Sequence, residues 1–238
     1  MTDLAKALAD AAAEVENTLD GVLSKDGAPD VRIYDAMRYT TLGGGKRLRP
    51  FLVLQSASLF DVPKISALRA GAALELIHCY SLVHDDLPAM DDDDLRRGRP
   101  TVHRAYDEAT AILAGDGLLT LAFDIVAHLA APAEVRVELA GALARAAGMG
   151  GMVGGQALDL AADAPDTAEA VAAMQAMKTG ALIRFAAEAG AMLGRATSDD
   201  RARLVAYGER LGRAFQIADD LIDATGDAAT AGKATGKD

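Results

Sequence analysis

Residues 72–94 read AALELIHCYSLVHDDLPAMDDDD. The first half is apolar at helical spacing, with Ala73, Leu74, Ile77 and Leu82 recurring as on a core-facing helix. The second half holds six aspartates within ten residues: Asp85, Asp86 and Asp91 to Asp94. A solvated charge run is the usual meaning of such a cluster, but this one stands directly behind an apolar helix. Carboxylates packed this closely raise one another's pKa and cost stability unless a cation neutralises them. Asp85 and Asp91 are six residues apart, about 120° off-face on a straight helix. They can share a metal only if the helix breaks between them. Pro88 supplies the break, because it has no N–H to give to the carbonyl of His84. The spacing therefore predicts a kink or loop within the cluster.

A second acidic cluster lies far downstream, at Asp219-Asp220-Leu221-Ile222-Asp223, with Asp227 beyond it. Asp219 and Asp223 are i and i+4, about 40° apart and about 6 Å along a helix axis. Phe215 and Gln216 precede them by one turn. Carboxylates one turn apart can hold Mg²⁺ and leave its other positions to water and phosphate. One such cluster arises easily by chance in a helix; two in one helical chain carry far more weight.

The basic residues are also grouped. Gly43-Gly44-Gly45-Lys46-Arg47-Leu48-Arg49-Pro50 puts three cations directly after a glycine turn. It is not a Walker A loop, because Thr40 stands where that motif needs glycine and Arg47 where it needs Ser or Thr. Glycine N–H groups can approach an anion closely, and Arg49 can hold phosphate in a bidentate grip. Arg96-Arg97-Gly98-Arg99 follows the first acidic cluster at once, and Lys178-Thr179-Gly180 and Lys233 complete the set. Gly148 to Gly155 fails the dinucleotide pattern, because Val153 takes the third glycine's place, so it reads as close helix packing. Gln156 and Asp159 just after it are ambiguous. His78 and His84 read as hydrogen-bonded helix residues, since aspartate-rich sites suit Mg²⁺ better than zinc. Acidic clusters for Mg²⁺ and separate cations for phosphate suit a diphosphate ligand. The apolar helices between them suit a hydrocarbon tail.

The rest of the chain agrees with a helical reading. Of 238 residues, 51% are apolar and only 4% aromatic, with no Trp, which disfavours an all-β fold. The formal charge of −11 argues against nucleic-acid binding. The lone Cys79 cannot form an internal disulfide. The N-terminus is not a signal peptide, and the longest uncharged run, Ala146 to Leu158, is too short to span a membrane, so the chain reads as a soluble, cytoplasmic protein. Helical periodicity is expected over 3–23, 30–41, 48–60, 64–87, 104–113, 117–130, 133–149, 167–177, 179–194 and 199–223, with Asp116 and Asp199 as candidate N-caps. The breaks carry Gly and Pro, and there is no fixed-period repeat. The chain is read as one all-α domain. Gly226 to Asp238 reads as a loop, either a frayed tail or a loop in a chain that continues.

In order, GGGKRLRP, HDDLPAMDDDDLRRGRPT, GDGLL, GGQALDL, KTG, FQIADDLIDATGD and GKATGKD resemble the motifs of the trans-isoprenyl diphosphate synthase family, closest to its bacterial farnesyl-producing members. The resemblance covers nearly the whole chain. It implies an antiparallel helical bundle around a central apolar cavity, usually a homodimer. It implies head-to-tail condensation of isopentenyl diphosphate with dimethylallyl and geranyl diphosphates, through an allylic carbocation, with three Mg²⁺ per active site. Carried over residue by residue, Asp85, Asp86, Asp91, Asp219, Asp220 and Asp223 resemble the metal ligands. Gly45, Lys46, Arg49, His78 and Arg97 look like the isopentenyl diphosphate site. Arg96, Lys178 and Lys233 look like contacts to the allylic diphosphate, and Lys178, Thr179 and Gln216 line the path of the cation. Since the family continues a few dozen residues further, 1–238 is read as a single synthase domain lacking its C-terminal helices.

Two rivals are weaker. A class I terpene cyclase has N/D-D-x-x-S/T-x-x-x-E as its second motif, where this chain has Asp223 and Asp227, and it has no use for GGGKRLRP. A non-catalytic partner subunit typically loses one aspartate motif, and both are intact. Product length turns on residues below the first motif. Tyr80 and Ser81 lie about 7.5 and 6 Å down the helix axis from Asp85. An aromatic five residues before the motif resembles the C15 producers, which makes farnesyl diphosphate the expected product. Geranylgeranyl and other lengths are the alternative. Tyr80 points about 140° from Asp85 on a straight helix, so it either forms the cavity floor or packs against a neighbouring helix.

Overall fold

The computed structural model describes residues 3–25, 31–161 and 166–225, without the side chains of 223–225. Among them are eleven α-helices: α1 (Asp3–Val22), α2 (Val31–Thr41), α3 (Leu48–Ser58), α4 (Lys64–Asp85), α5 (Val102–Ala105), α6 (Glu108–Ala127), α7 (Ala133–Ala147), α8 (Met152–Asp159), α9 (Ala168–Gln175), α10 (Ala181–Leu193) and α11 (Ser198–Thr225). A π-helical turn, Ala176–Gly180, joins α9 to α10 without a break. The described strands are a two-residue pair, β1 (Leu95–Arg96) and β2 (Arg99–Pro100), in antiparallel register. The expected all-α bundle is what folds.

Helix α4 is the centre. It packs on α6, α3, α1, α10 and α2, and its buried residues run around most of its circumference. Leu74, Leu76 and Ile77 of α4 join Leu118 and Ile125 of α6, Leu139 and Leu143 of α7, and Leu182, Ile183 and Met192 of α10 in one continuous core. The many alanines and glycines let these helices come close. Gly190 of α10 shows how close: a Cβ there would stand 2.1 Å from the Ala57 backbone nitrogen of α3. Instead the Gly190 N–H donates to the Ser56 hydroxyl at 3.2 Å.

Three local expectations are corrected. The helices expected over 104–113 and 117–130 are the short α5 and one continuous α6, so Asp116 lies inside a helix and caps nothing. Gly115 and Gly117 each cost roughly 1 kcal/mol in a helix, yet the buried stripe of Ala111, Ala114, Leu118, Ala122 and Ile125 overrides them. The true N-cap is Asp107, whose carboxylate accepts the Thr110 N–H at 2.7 Å. Asp199 is displaced in the same way: the Thr197 hydroxyl accepts the Asp200 N–H at 3.2 Å and donates to its carboxylate at 2.8 Å. The glycine stretch beginning at Gly148 contains a helix, α8, that periodicity did not reveal. Helix α6, with mean hydropathy 1.6, is long and apolar enough to cross a membrane. Here it is a core helix, fully burying Ala111, Ala114, Leu118 and Ala122.

Gly190→Ala tests the α3–α10 contact. Overpacking of this kind costs about 1–3 kcal/mol, and each kcal/mol lowers Tm by about 2–4 °C in a chain of this size. A melting curve unchanged from the parent would show that the two helices can separate freely.

Candidate active site

The first acidic cluster breaks where Pro88 predicts. Helix α4 ends at Asp85, and the chain turns back so that the Asp91 N–H donates to the Asp85 carbonyl at 2.8 Å. That hydrogen bond brings together two aspartates that a straight helix would separate. The Asp85 carboxyl is pushed up to about 7, first by burial and then by the neighbouring Asp91 charge. Lys178 and Arg96 pull it back down. Asp91 is raised too, chiefly by partial burial, and it feels Lys178 and Asp159. Asp86 faces another way: it is buried and accepts from Arg96, Nε at 3.0 Å and Nη2 closer still. Burial raises its pKa while the guanidinium opposes the rise.

Lys178 sits on the π-helical turn, a device that re-aims side chains within a helix and recurs at functional sites. Its ammonium pairs with Asp159 of α8. The two elements touch backbone to backbone, since a Cβ on Gly155 would lie 2.3 Å from the Lys178 nitrogen. This is the close packing that the glycine stretch suggested. Beside Gly155, Gln156 is buried with both amide atoms unpartnered. Thr179 is half-buried on the same turn. Helix α11 crosses the turn at Gly212, where a Cβ would stand 3.1 Å from the Gly180 Cα. Gln216 follows one turn later and donates to Asp220 at 2.9 Å. Asp219 is half-buried and Asp220 exposed. The Asp223 side chain, Asp227 and Lys233 lie outside the described residues.

The cationic group forms a second centre around His78. Burial, then the charges of Arg49, Arg97, Arg47 and Arg96, hold the imidazole well below its ordinary pKa, so it is neutral. Arg49 is half-buried, its Nε without a hydrogen-bond partner. Lys46 is exposed on the same loop, beside Gly45. The β1–β2 hairpin leans against this loop. Arg97 donates to the Gly44 carbonyl, and the Arg99 guanidinium lies 4.0 Å over the Tyr39 ring. A cleft between loop and hairpin is lined by Tyr39, Gly43, Asp86, Arg96, Arg97 and Arg99.

Further down α4, Tyr80 is buried in the core and meets His84 edge to face at 5.8 Å between ring centroids. The Ser81 hydroxyl donates to the His78 carbonyl at 3.0 Å. His84 is hydrogen-bonded within the bundle, its Nε2 lying 3.1 Å from the Ile112 carbonyl oxygen.

Sequence reasoning passed over three residues. Arg47, read only as one cation of three, is the most deeply buried of them; Glu75, alone between Leu74 and Leu76, was the available signal. Arg99 has no role that the basic run alone assigns, yet it stacks on Tyr39 at the cleft. Asp159 is ambiguous in the sequence, and its pairing with Lys178 places it at the site. Among the described residues, no three carboxylate, His or Cys groups converge on one point. The Asp85–Asp91 pair is all oxygen, which suits a hard divalent cation. Its raised pKa also marks a place where added positive charge is stabilising.

An all-helical bundle with a carboxylate pair at one end of its central helix and a guanidinium cluster at its flank is the arrangement expected of a prenyltransferase of the isoprenoid-synthase type. The polyprenyl synthetase family model matches residues 30–238, and the chain belongs to that family. It is 48% identical to the farnesyl diphosphate synthase of Escherichia coli over 87% of this chain and 71% of that one. It is 43% identical to the farnesyl diphosphate synthase of Bacillus subtilis over 97% and 79%. The crystal structure of an FPP/GFPP synthase from Zymomonas mobilis superposes with a TM-score of 0.89, at 48% identity, covering 98% of this chain and 83% of the other.

Proposed function

We propose that this prenyltransferase condenses isopentenyl diphosphate head-to-tail with dimethylallyl and then geranyl diphosphate, releasing pyrophosphate and farnesyl diphosphate, and that residues 1–238 act as one domain. The observation that carries the reading is the placing of two opposite charge centres along α4: neutral His78 among four guanidinium groups, and the Asp85–Asp91 pair at the helix end.

In this reading Gly45, Lys46, Arg49, His78 and Arg97 hold the isopentenyl diphosphate. Arg49 arrives with a free Nε, and neutral His78 adds a hydrogen bond without adding charge. Lys178, Arg96 and Lys233 face the allylic diphosphate. Asp85, Asp86 and Asp91 of the first motif and Asp219, Asp220 and Asp223 of the second would hold three Mg²⁺. Mg²⁺ held by these residues would supply positive charge that neutralises the diphosphate leaving group. Thr179 and Gln216 present oxygen dipoles to the developing allylic cation. The isopentenyl double bond attacks C1 of that cation, and the departing pyrophosphate takes the proton. Apolar walls exclude the water that would quench the cation. No side-chain nucleophile takes part, which suits a Cys79 thiol pushed up to about 12 by burial.

Activity should need a divalent cation and both clusters. Asp85→Asn and Asp219→Asn should each lower turnover by orders of magnitude, because each removes a charge needed as the leaving group develops. Full turnover in EDTA, measured with isopentenyl and dimethylallyl diphosphates, would overturn the metal assignment.

The edge-to-face contact of Tyr80 with His84, one residue before Asp85, supports Tyr80 as the floor that the growing tail meets, with Ser81 beside it. The Zymomonas relative's name couples two product lengths, so length is the finer point. Tyr80→Ala should move the main product from C15 to C20 or longer, with the first condensation nearly unchanged, when products are identified by mass. An unchanged C15 product would place the floor on another helix.

A homodimer is supported by the apolar pair Ile112 and Leu113 of α6, each about half exposed. Leu113→Asp should convert a dimer to a monomer in analytical ultracentrifugation. A parent protein that sediments as a monomer would remove the assignment.

A further inference from the structure

We propose that Arg47 is a positioning residue: anchored in the core by Glu75 and Glu16, it fixes the cationic loop to α4 and so sets the spacing between the two diphosphate subsites. The proposal rests on the reading that Lys46 and Arg49 bind isopentenyl diphosphate.

The Arg47 side chain has no solvent exposure, and the Glu75 side chain has 3%. Nη1 donates to Glu75 Oε1 at 2.5 Å, and Nε donates to Glu16 Oε1 at 2.9 Å. Nη2 donates to Glu16 and to the Thr41 carbonyl, the last residue of α2. One guanidinium therefore ties together α1, the end of α2, the loop and α4. Its backbone is left-handed, with φ of 48°, a conformation that costs a non-glycine residue energy and persists only where its surroundings impose it.

Stability alone does not ask for this arrangement. A buried ion pair is often matched or bettered by apolar residues of similar volume. What the pair supplies is direction. With Arg47 turned inward, Lys46 is left on the outside and Arg49 is set beside His78 and Arg97. Glu75, which receives Arg47, stands three residues before His78 and ten before Asp85 on the same helix. At 1.5 Å per residue, α4 then acts as a rigid rod of about 15 Å from the anchor to the carboxylate pair. An attacking double bond and a departing diphosphate need that kind of fixed separation, since misplacement by about 1 Å can cost a hundredfold in rate.

The test uses full-length variants with thermal melting and separate KM values for the two substrates. The double variant Arg47→Met/Glu75→Leu removes both deeply buried charges without orphaning either. It should melt within a few degrees of the parent while the KM for isopentenyl diphosphate rises tenfold or more and that for geranyl diphosphate changes less than threefold. Arg47→Lys should not restore the parent values, because an ammonium cannot reproduce the planar fork that spans both carboxylates and the carbonyl. If the double variant does not fold, Glu16→Gln at the half-exposed rim decides, with a several-fold rise in the isopentenyl diphosphate KM expected. A folded double variant, or failing that Glu16→Gln, with the parent's isopentenyl diphosphate KM would overturn the proposal. Arg49→Ala separates this from failure of the underlying reading. If Arg49→Ala also leaves that KM unchanged, the subsite itself is misassigned; if Arg49→Ala raises it and the Arg47 variants do not, only the positioning role falls.

Discussion

Helix α4 is buried around most of its circumference, yet it carries Glu75, His78 and Asp85, and a low-dielectric core accepts such groups only when each is answered. Glu75 is answered by Arg47. His78 is kept neutral by burial and by the guanidinium groups around it. Asp85 is answered only in part: burial and then the Asp91 charge push it up to about 7 against the pull of Lys178 and Arg96. The same helix thus has one end that is electrostatically closed and one end that calls for positive charge. The surrounding helices follow from this, since α1, α2 and α3 close the first end and α8 and the π-helical turn bring Lys178 to the second.

Much of this was legible in the sequence because it depends on local chemistry. Pro88 foretold the turn that joins Asp85 to Asp91, since the missing N–H and the 120° mismatch leave no helical alternative. The glycines near α8 foretold close packing, because a residue without Cβ at 155 is what lets α8 lie against Lys178. The break read into Gly115-Asp116-Gly117 failed for the complementary reason. Helix propensity is a weak local preference, and the apolar stripe from Ala111 to Ile125 outweighs it once a partner helix is present.

What the sequence hid was pairing between distant segments. Periodicity says nothing of Arg47 reaching Glu16, 31 residues away, or of Lys178 reaching Asp159. The spacing singles out Asp85 and Asp91 but says nothing of the partners that the other aspartates of the first motif take. Folding divides them: Asp85 and Asp91 converge, Asp86 turns to Arg96, and Asp94 goes to Arg104. A motif identifies which residues a reaction needs, while the assignment of each to a partner is fixed by tertiary geometry.

Backbone conformation shows where that geometry is imposed. Among the described residues, the non-glycine positions with positive φ are Arg47, Asp61, Asp92, Arg97 and Arg195, and three of these lie in the charged motifs. Arg97 and Gly98 both take positive φ at the tip of the β1–β2 hairpin, as the tightest two-residue hairpin turns require. Asparagine or glycine would sit at position 97 with less strain. An arginine there instead reaches the Gly44 carbonyl and borders His78, so the turn trades backbone comfort for a cation aimed at the loop. Arg47 makes the same trade on the loop itself, where the left-handed backbone accompanies a side chain turned inward to Glu75 and Glu16. One left-handed arginine thus anchors the loop in the core and the other clasps it from the hairpin, so the loop they share holds Lys46 and Arg49 with little freedom to rearrange, which is what positioning a substrate for attack requires.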